Sequence, residues 1–399
     1  MNGSTALATE ATSLETELVL GLLRRVGNPD EVDSRLREIA DANPDWHAIL
    51  ELVSRHRLHA VLRRTLDEAA VTAPEEIETM LTARNHETSV ENLQHSRQLY
   101  EIVELFRSND IAALPYKGPV LAEAAYGSVG DRSFGDLDLL VATEDVAAAC
   151  DLLERRGYER INFAGVSVER LIDGTVFRWG KEFRFVDPEG GFPVELRFGF
   201  IGGRRSDTEI FSDLWERRTS STLTGQSLAT LSPEDRALLL LVHGTKHGWR
   251  QLSWVYDVAL VCRQDIDWDR VLTRAKRYSW LYAVLYGIGV LTGLTGLSAP
   301  TAVQSDLESS RLCSWGANRT VAHLRNGLGS DLTYLEPITT ALFLNDGPFG
   351  ALADVLDEIL APRKADYEWI PLPPRLYPLY YFVRPFHLFV TALRWFTDR

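Results

Sequence analysis

Two aspartates lie two positions apart in the run Gly135-Asp136-Leu137-Asp138-Leu139-Leu140-Val141, whose apolar weight marks a buried strand. Residues two apart on a strand project from one face, so the two carboxylates stand together while Leu137 and Leu139 face a core. Like charges held side by side repel, and a shared divalent cation removes that cost, so the pair suits Mg²⁺, with Mn²⁺ as the alternative ion. Glu195, between Val194 and Leu196 in a second apolar run, supplies a third carboxylate if its strand lies adjacent. Three such groups can hold two metals. One lowers the pKa of an attacking hydroxyl, and the other neutralises a triphosphate and its pyrophosphate leaving group.

The residues upstream fit the same chemistry. Gly118 followed by Pro119 reads as a helix start, with the glycine at the N-cap and proline at the first helical position. Free N–H groups at such a start meet phosphate oxygens; Lys117 adds a positive charge, and Arg132 lies in the loop just before the aspartates. Further along, Lys246 and Arg250 are candidates for anion contact, and Asp257 is a candidate partner for one of them. A second Asp-x-Asp, at Asp265 and Asp267, has no glycine-led segment before it, and helix capping explains it. His243 and His247 are four apart and share a helix face, yet no third zinc ligand is evident, so packing or a nucleotide contact is the preferred reading. Gly202-Gly203-Arg204-Arg205 reads as a turn.

These residues need elements to hold them. Ser13 to Ser108 carries apolar residues at helical spacing and reads as a helical N-terminal region. Ile111 to Pro115 reads as a short buried strand, followed by a helix from Gly118 to Tyr126 and a strand from Asp136 to Ala142. Thr143 is expected to cap the next helix, which Gly157 ends. Strands are expected at Tyr158 to Phe163, Phe183 to Val186 and Phe192 to Phe198, with a turn over Asp187-Pro188-Glu189-Gly190-Gly191 between the last two. Ser232 caps a helix with Pro233 at N1 and Asp235 completing a capping box, and helices follow at Gln251 to Cys262, Trp268 to Tyr278 and Leu281 to Leu291. The fold class is α+β: a mixed-sheet palm flanked by helical N- and C-terminal regions. The domains expected are residues 1–109 (helical), 110–230 (palm), 231–365 (helical), and 366–399 (a Pro-rich connector and an aromatic terminal helix).

Composition narrows the partners. The chain of 399 residues has 42 basic and 56 acidic side chains, a formal net charge of −14, and 45% hydrophobic content. That is a folded, acidic chain without the basic face that grips long duplex nucleic acid. Cys150, Cys262 and Cys313 are odd in number and widely spaced, which favours reduced thiols in a cytoplasmic setting. Neither a signal peptide nor a membrane span is read. The segment Tyr377 to Phe396 is rich in aromatics and interrupted by Arg384, Pro385, His387 and Arg394; a docked helix is the preferred reading and weak peripheral contact with a membrane surface the alternative.

The segment Tyr116-Lys117-Gly118-Pro119-Val120-Leu121, then Arg132, then Gly135-Asp136-Leu137-Asp138-Leu139-Leu140-Val141, resembles the DNA polymerase β-like nucleotidyltransferase superfamily. More narrowly, it is similar to a bacterial and archaeal nucleotidyltransferase family with a Lys-Gly helix start and an Arg-x-x-x-Asp-h-Asp-Leu-Leu-Val strand. Leu231-Ser232-Pro233-Glu234-Asp235, His243-Gly244-Thr245-Lys246-His247-Gly248-Trp249 and Trp254-Val255-Tyr256-Asp257 resemble that family's helical segment after the palm. The resemblance implies metal ligation and catalysis by Asp136, Asp138 and Glu195, and nucleotide or phosphate contact by Lys117, Gly118, Arg132 and Lys246. The implied reaction moves NMP from an NTP such as ATP to an acceptor hydroxyl with release of pyrophosphate. The acceptor stays open among protein, small molecule, RNA end and glycan precursor, and a nucleotide-binding scaffold without turnover is the alternative. Two departures concern the phosphate loop: Pro119 has no N–H to offer, and the interval from Gly118 to Asp136 is longer than usual in the superfamily.

Overall fold

In the computed structural model, residues 13–162, 181–200, 206–328, 342–346 and 364–397 are described, with the single positions 168, 360 and 362. The stretch from Gly202 to Arg205, and Phe163 at the end of one expected strand, lie outside them. The chain opens with helices α1 (Leu14–Arg24), α2 (Pro29–Asp41), α3 (Trp46–Arg55) and α4 (His59–Glu68), and then the long α5 (Glu75–Arg107). Ser13 and Asp45 cap α1 and α3 through side-chain oxygens, as short polar residues before a helix do.

The palm is a five-stranded mixed sheet of β1 (Ala113–Pro115), β2 (Leu137–Val141), β3 (Glu159–Arg160), β4 (Glu182–Val186) and β5 (Val194–Arg197) in the order β1-β2-β5-β4-β3. Only β2 and β5 run parallel; the other pairs are antiparallel. Alternation along the strands sends Leu137, Leu139, Val141, Phe183, Phe185, Val194 and Leu196 into a core shared with α5 and with α7 (Val146–Arg155), where α6 is the single turn Gly118–Leu121. The opposite face, carrying Asp138, Leu140, Glu195 and Arg197, turns toward the helical part of the molecule. There α1 to α4 share one apolar core with α9 (Pro233–Lys246), α10 (Leu252–Cys262), α11 (Trp268–Tyr278), α12 (Leu281–Thr295), α13 (Thr301–Ser309) and α14 (Arg311–Asn326). The N- and C-terminal helices are therefore one packed layer over the palm, and α8 (Asp207–Glu216) joins the same core through Ile210, Phe211 and Leu214.

Several local expectations change. The helix from Gly118 keeps α geometry only to Leu121 and continues to Tyr126 as a π turn. Thr143 does not cap α7: its hydroxyl bonds the Phe198 carbonyl, tying β2's exit to β5's, and the helix starts at Val146. Ser232 does cap α9, but Asp235 sends its carboxylate to Arg217 and to the Ser232 hydroxyl instead of back to the cap's backbone. A hairpin of β6 (Thr219–Leu223) and β7 (Gln226–Thr230) was not expected; Thr224 and Gly225, both at positive φ, form its two-residue turn. Asp267 caps α11 through its side chain, as the capping reading of that Asp-x-Asp requires.

Near the end, α15 (Lys364–Trp369) and α16 (Tyr380–Thr397) meet through buried Asp366, which holds His387 at 2.6 Å and Arg384 at 3.5 Å. Phe382, Phe386 and Phe389 remain exposed on α16. No described helix is long and apolar enough to cross a membrane. All three cysteines are free thiols.

Candidate active site

The parallel pairing of β2 with β5 sets Asp138 directly beside Glu195, and Asp136 stands one residue before β2 on the same side. This is the juxtaposition that the three-carboxylate reading requires. The strand register decides it: a slip of one residue would send Glu195 into the apolar core and bring Leu196 up in its place.

Crowding three acids has an electrostatic cost that the structure meets locally. Burial, then the negative charges of Asp138 and Asp136, push the Glu195 carboxyl up to about 7. Asp136 is raised by burial and by Asp138. Burial also acts to raise Asp138, but Lys117 and Arg197 overcome it and hold that carboxyl below the usual range. Asp138 is 3% exposed, and its Oδ1 accepts from Lys117 Nζ and from the Tyr116 hydroxyl, each at 3.2 Å. Among the described residues no three His, Cys, Asp or Glu side chains already converge as a coordination shell. The basic groups Lys117 and Arg197 meet their charge instead.

Lys117 is placed by the turn it opens. Gly118 sits at φ +54°, and a Cβ there would come 3.3 Å from the Asp136 carbonyl, so glycine lets the chain pass close to the aspartate segment. The Lys117 ammonium also faces His243 Nδ1 at 3.2 Å. An ammonium only donates, so Nδ1 accepts and His243 is the neutral tautomer protonated at Nε2. Burial, with Lys117 next, holds its pKa well below the ordinary value, and burial with Lys246 lowers His247 to about 2. Both rings pack on Trp254, at 5.1 and 5.3 Å between centroids. Both line the cavity wall.

Arg132 is not a free cation. Its Nε and Nη2 donate to the two oxygens of Asp257 at 2.8 and 2.9 Å, with both side chains buried, while the Tyr126 hydroxyl donates to Asp257 at 2.7 Å. Asp257 thus pairs with Arg132, not with Lys246 or Arg250. Arg132 lines the cavity, and its Nη1, itself buried, is left without a hydrogen-bond partner among the described residues. Lys246 approaches Glu182 at 3.9 Å and is lowered to about 8 by burial and by Arg197.

These groups surround a cavity of about 250 Å³. Lys117, Gly118, Arg132, Asp136, Asp138, Glu195 and Lys246, all singled out in the sequence, line it together. Sequence reasoning missed Arg57, Glu182 and Arg197. Arg197 was within reach, because it stands two residues after Glu195 and so shares its face; Glu182 is its cross-strand partner and its ion-pair partner. Arg57 comes from the end of α3, far in sequence from the palm motifs, in the stretch His56 to Leu62 whose likeness to the family is weaker. Six basic side chains and four carboxylates line the cavity, an excess of positive charge on a chain whose overall balance is −14. Such a wall suits a polyanion, with carboxylates on its floor to share a cation with it.

A family described as uncharacterised nucleotidyltransferase matches residues 42–296, which is more than half of the chain and includes every residue of this cavity. Among solved structures, an antigenic nucleotidyltransferase-like protein from Paracoccidioides brasiliensis covers 49% of this chain and 93% of its own length at 15% identity, with a TM-score of 0.29, too low to inform the site. The comparison with curated proteins gives no match. On the extent of the family match, the chain belongs to the uncharacterised nucleotidyltransferase family.

Proposed function

We propose that the protein transfers a nucleoside monophosphate from an NTP, ATP among the candidates, to an acceptor hydroxyl at a polymerase β-like palm. The observation that carries this reading is the register of β2 against β5, which lines up Asp138 with Glu195 beside Asp136 inside a basic cavity. The three carboxylates fit a divalent cation: they are oxygen donors on adjacent backbone, and their mutual repulsion, which after burial raises the Glu195 pKa, falls when a cation is shared. Bound Mg²⁺ or Mn²⁺ would supply charge neutralisation at the phosphates and a more acidic acceptor hydroxyl. The acceptor oxygen bonds to the α-phosphorus, the bond from that phosphorus to the bridging oxygen breaks, pyrophosphate leaves with the electron pair, and the hydroxyl proton passes to the site's carboxylates or to water. Lys117 fixes Asp138, while Lys246, Arg197 and Arg132, which line the cavity, would meet phosphate oxygens. The acceptor class is open among protein, small molecule, RNA end and glycan precursor, and the acidic surface argues against long duplexes. Three free thiols suit a reducing cytoplasm.

A second reading, nucleotide binding without turnover, has one observation in its favour: Lys117 already neutralises Asp138. Titration of Mg·NTP, followed by transfer of label from α-³²P-NTPs to cell-extract fractions, separates the two. The proposal expects binding and transfer in the wild type, with transfer lost in Asp136→Ala/Asp138→Ala. Binding with no transfer under any metal or acceptor condition would leave the scaffold reading.

A further inference from the structure

Arg57 stands apart from the other basic residues of the cavity. It comes from the N-terminal helices, outside the palm and outside α9, and its side chain is exposed. Among the described residues its guanidinium has no hydrogen-bond or ion-pair partner, although the other basic residues of the wall are held by carboxylates or other polar groups. Its guanidinium lies over Gly135: a Cβ on that glycine would be 3.5 Å from Nη2 and 3.6 Å from Nη1. The charge therefore sits one residue from Asp136, in the wall of the cavity that Arg132, with its partnerless Nη1, also lines.

The backbone aims it there. Helix α3 ends in a Schellman turn, with Leu58 N bonded to Val53 O at 2.8 Å and Arg57 N to Ser54 O at 3.1 Å. Arg57 occupies the left-handed position of that turn at φ +57°, where glycine is the usual residue. Other non-glycine residues of this chain, Ala70 among them, tolerate the same conformation, so strain alone does not single out Arg57. What does is the destination of its side chain. The preceding residue locks the turn: His56 is 3% exposed, its Nδ1 accepts from Leu252 N at 3.3 Å, and its Nε2 faces the Leu328 carbonyl at 3.3 Å. The end of α3 is thereby stitched to α10 and to the segment after α14.

We infer that Arg57 is a phosphate-binding residue delivered by the N-terminal helices, which with Arg132 Nη1 grips the β- and γ-phosphates of the nucleotide at the Asp136 end of the cavity. This rests on the nucleotidyl-transfer reading and adds to it: selection of triphosphate over monophosphate comes from outside the palm. A planar guanidinium with its donors free matches two phosphate oxygens, which a lysine at the same place would not.

The test is calorimetric titration of the full chain with Mg·ATP, Mg·ADP, AMP and inorganic tripolyphosphate, using wild type, Arg57→Gly, Arg57→Ala and Arg57→Lys. Arg57→Gly removes the guanidinium and suits the left-handed position, so its unfolding midpoint is expected at or above that of the wild type while Mg·ATP affinity falls about ten- to a hundredfold. Tripolyphosphate should weaken in parallel, AMP should change less than twofold, and Arg57→Lys should recover only part of the loss. Wild-type Mg·ATP affinity retained in Arg57→Gly and Arg57→Ala would overturn the inference and leave the nucleotide site standing. Arg57-dependent tripolyphosphate binding without nucleotide binding would sustain the anion grip and sink the nucleotidyl reading, and binding of neither by the wild type would overturn both.

Discussion

Removing the Asp257 carboxylate isolates a charge that the fold has buried. Arg132 makes two hydrogen bonds to it, the side chains are 8% and 1% exposed, and Tyr126 donates to the same carboxylate. Breaking such a pair from one side costs about 3–5 kcal/mol, far more than the pair contributes relative to an apolar substitute. With a urea m-value of about 3 kcal/mol per M, a loss near 4 kcal/mol moves the midpoint of the cooperative transition down by about 1.3 M. The assay is urea unfolding of wild type and Asp257→Ala in EDTA, without nucleotide, so that ligand linkage does not enter. Arg132→Met/Asp257→Leu removes both charges and is expected to recover most of the loss. If Asp257→Ala stays within about 1 kcal/mol of wild type, the pair is not a structural fastening, and Arg132 is free to leave it for a ligand.

Three further outcomes are expected. Burial lowers His56 to about 4 in the folded chain, below its unfolded value near 6.5, so the folded state resists its protonation; its stabilising share is complete above pH 6.5 and lost as the pH falls toward 4. By pH 5 that share has dropped by about 2 kcal/mol, and wild type should lose that much more than His56→Gln between pH 7.5 and pH 5 by urea titration; equal losses would contradict it. Gly118→Ala forces a side chain into φ +54° beside the Asp136 carbonyl and should cost about 1 kcal/mol or more in thermal unfolding, with a larger proportional loss of Mg·NTP binding because Asp136 shifts. Glu195→Gln relieves repulsion among the three acids, so in EDTA at pH 8 it should be more stable than wild type by about 1–3 kcal/mol, whereas millimolar Mg²⁺ should stabilise the wild type and leave the variant unmoved.

The palm was legible where the pattern was local. Alternating apolar residues around Asp136 and Asp138, and around Glu195, read as strands because period-two burial on one face shows in a single segment. Their adjacency was an inference that only the β2–β5 register could confirm, since parallel strands are joined by long crossovers that leave no mark on which residue meets which. The Arg132–Asp257 pair and the Lys117–His243 contact bridge 125 and 126 residues and were invisible for the same reason. Thr143 looked like a cap because threonine before acidic residues usually is one; a carbonyl at the end of β5 competed for its hydroxyl and won. The β6–β7 hairpin escaped because β6 is mostly exposed and polar, although Thr224-Gly225 is a turn signal in hindsight. Arg57 lay in a helical region with no palm motif near it, and only the fold brings it to Gly135.

The central claim is that the carboxylate cavity moves the α-phosphoryl group and not the γ. The direct measurement is parallel incubation with α-³²P-ATP and γ-³²P-ATP, extended to the other NTPs, in Mg²⁺ or Mn²⁺ with cell-extract fractions, comparing wild type with Asp138→Asn. The account predicts α-label on an acceptor, γ-label recovered as pyrophosphate, and both lost in the variant. Label from the γ position on the acceptor, or α-label transfer undiminished in Asp138→Asn, would contradict it.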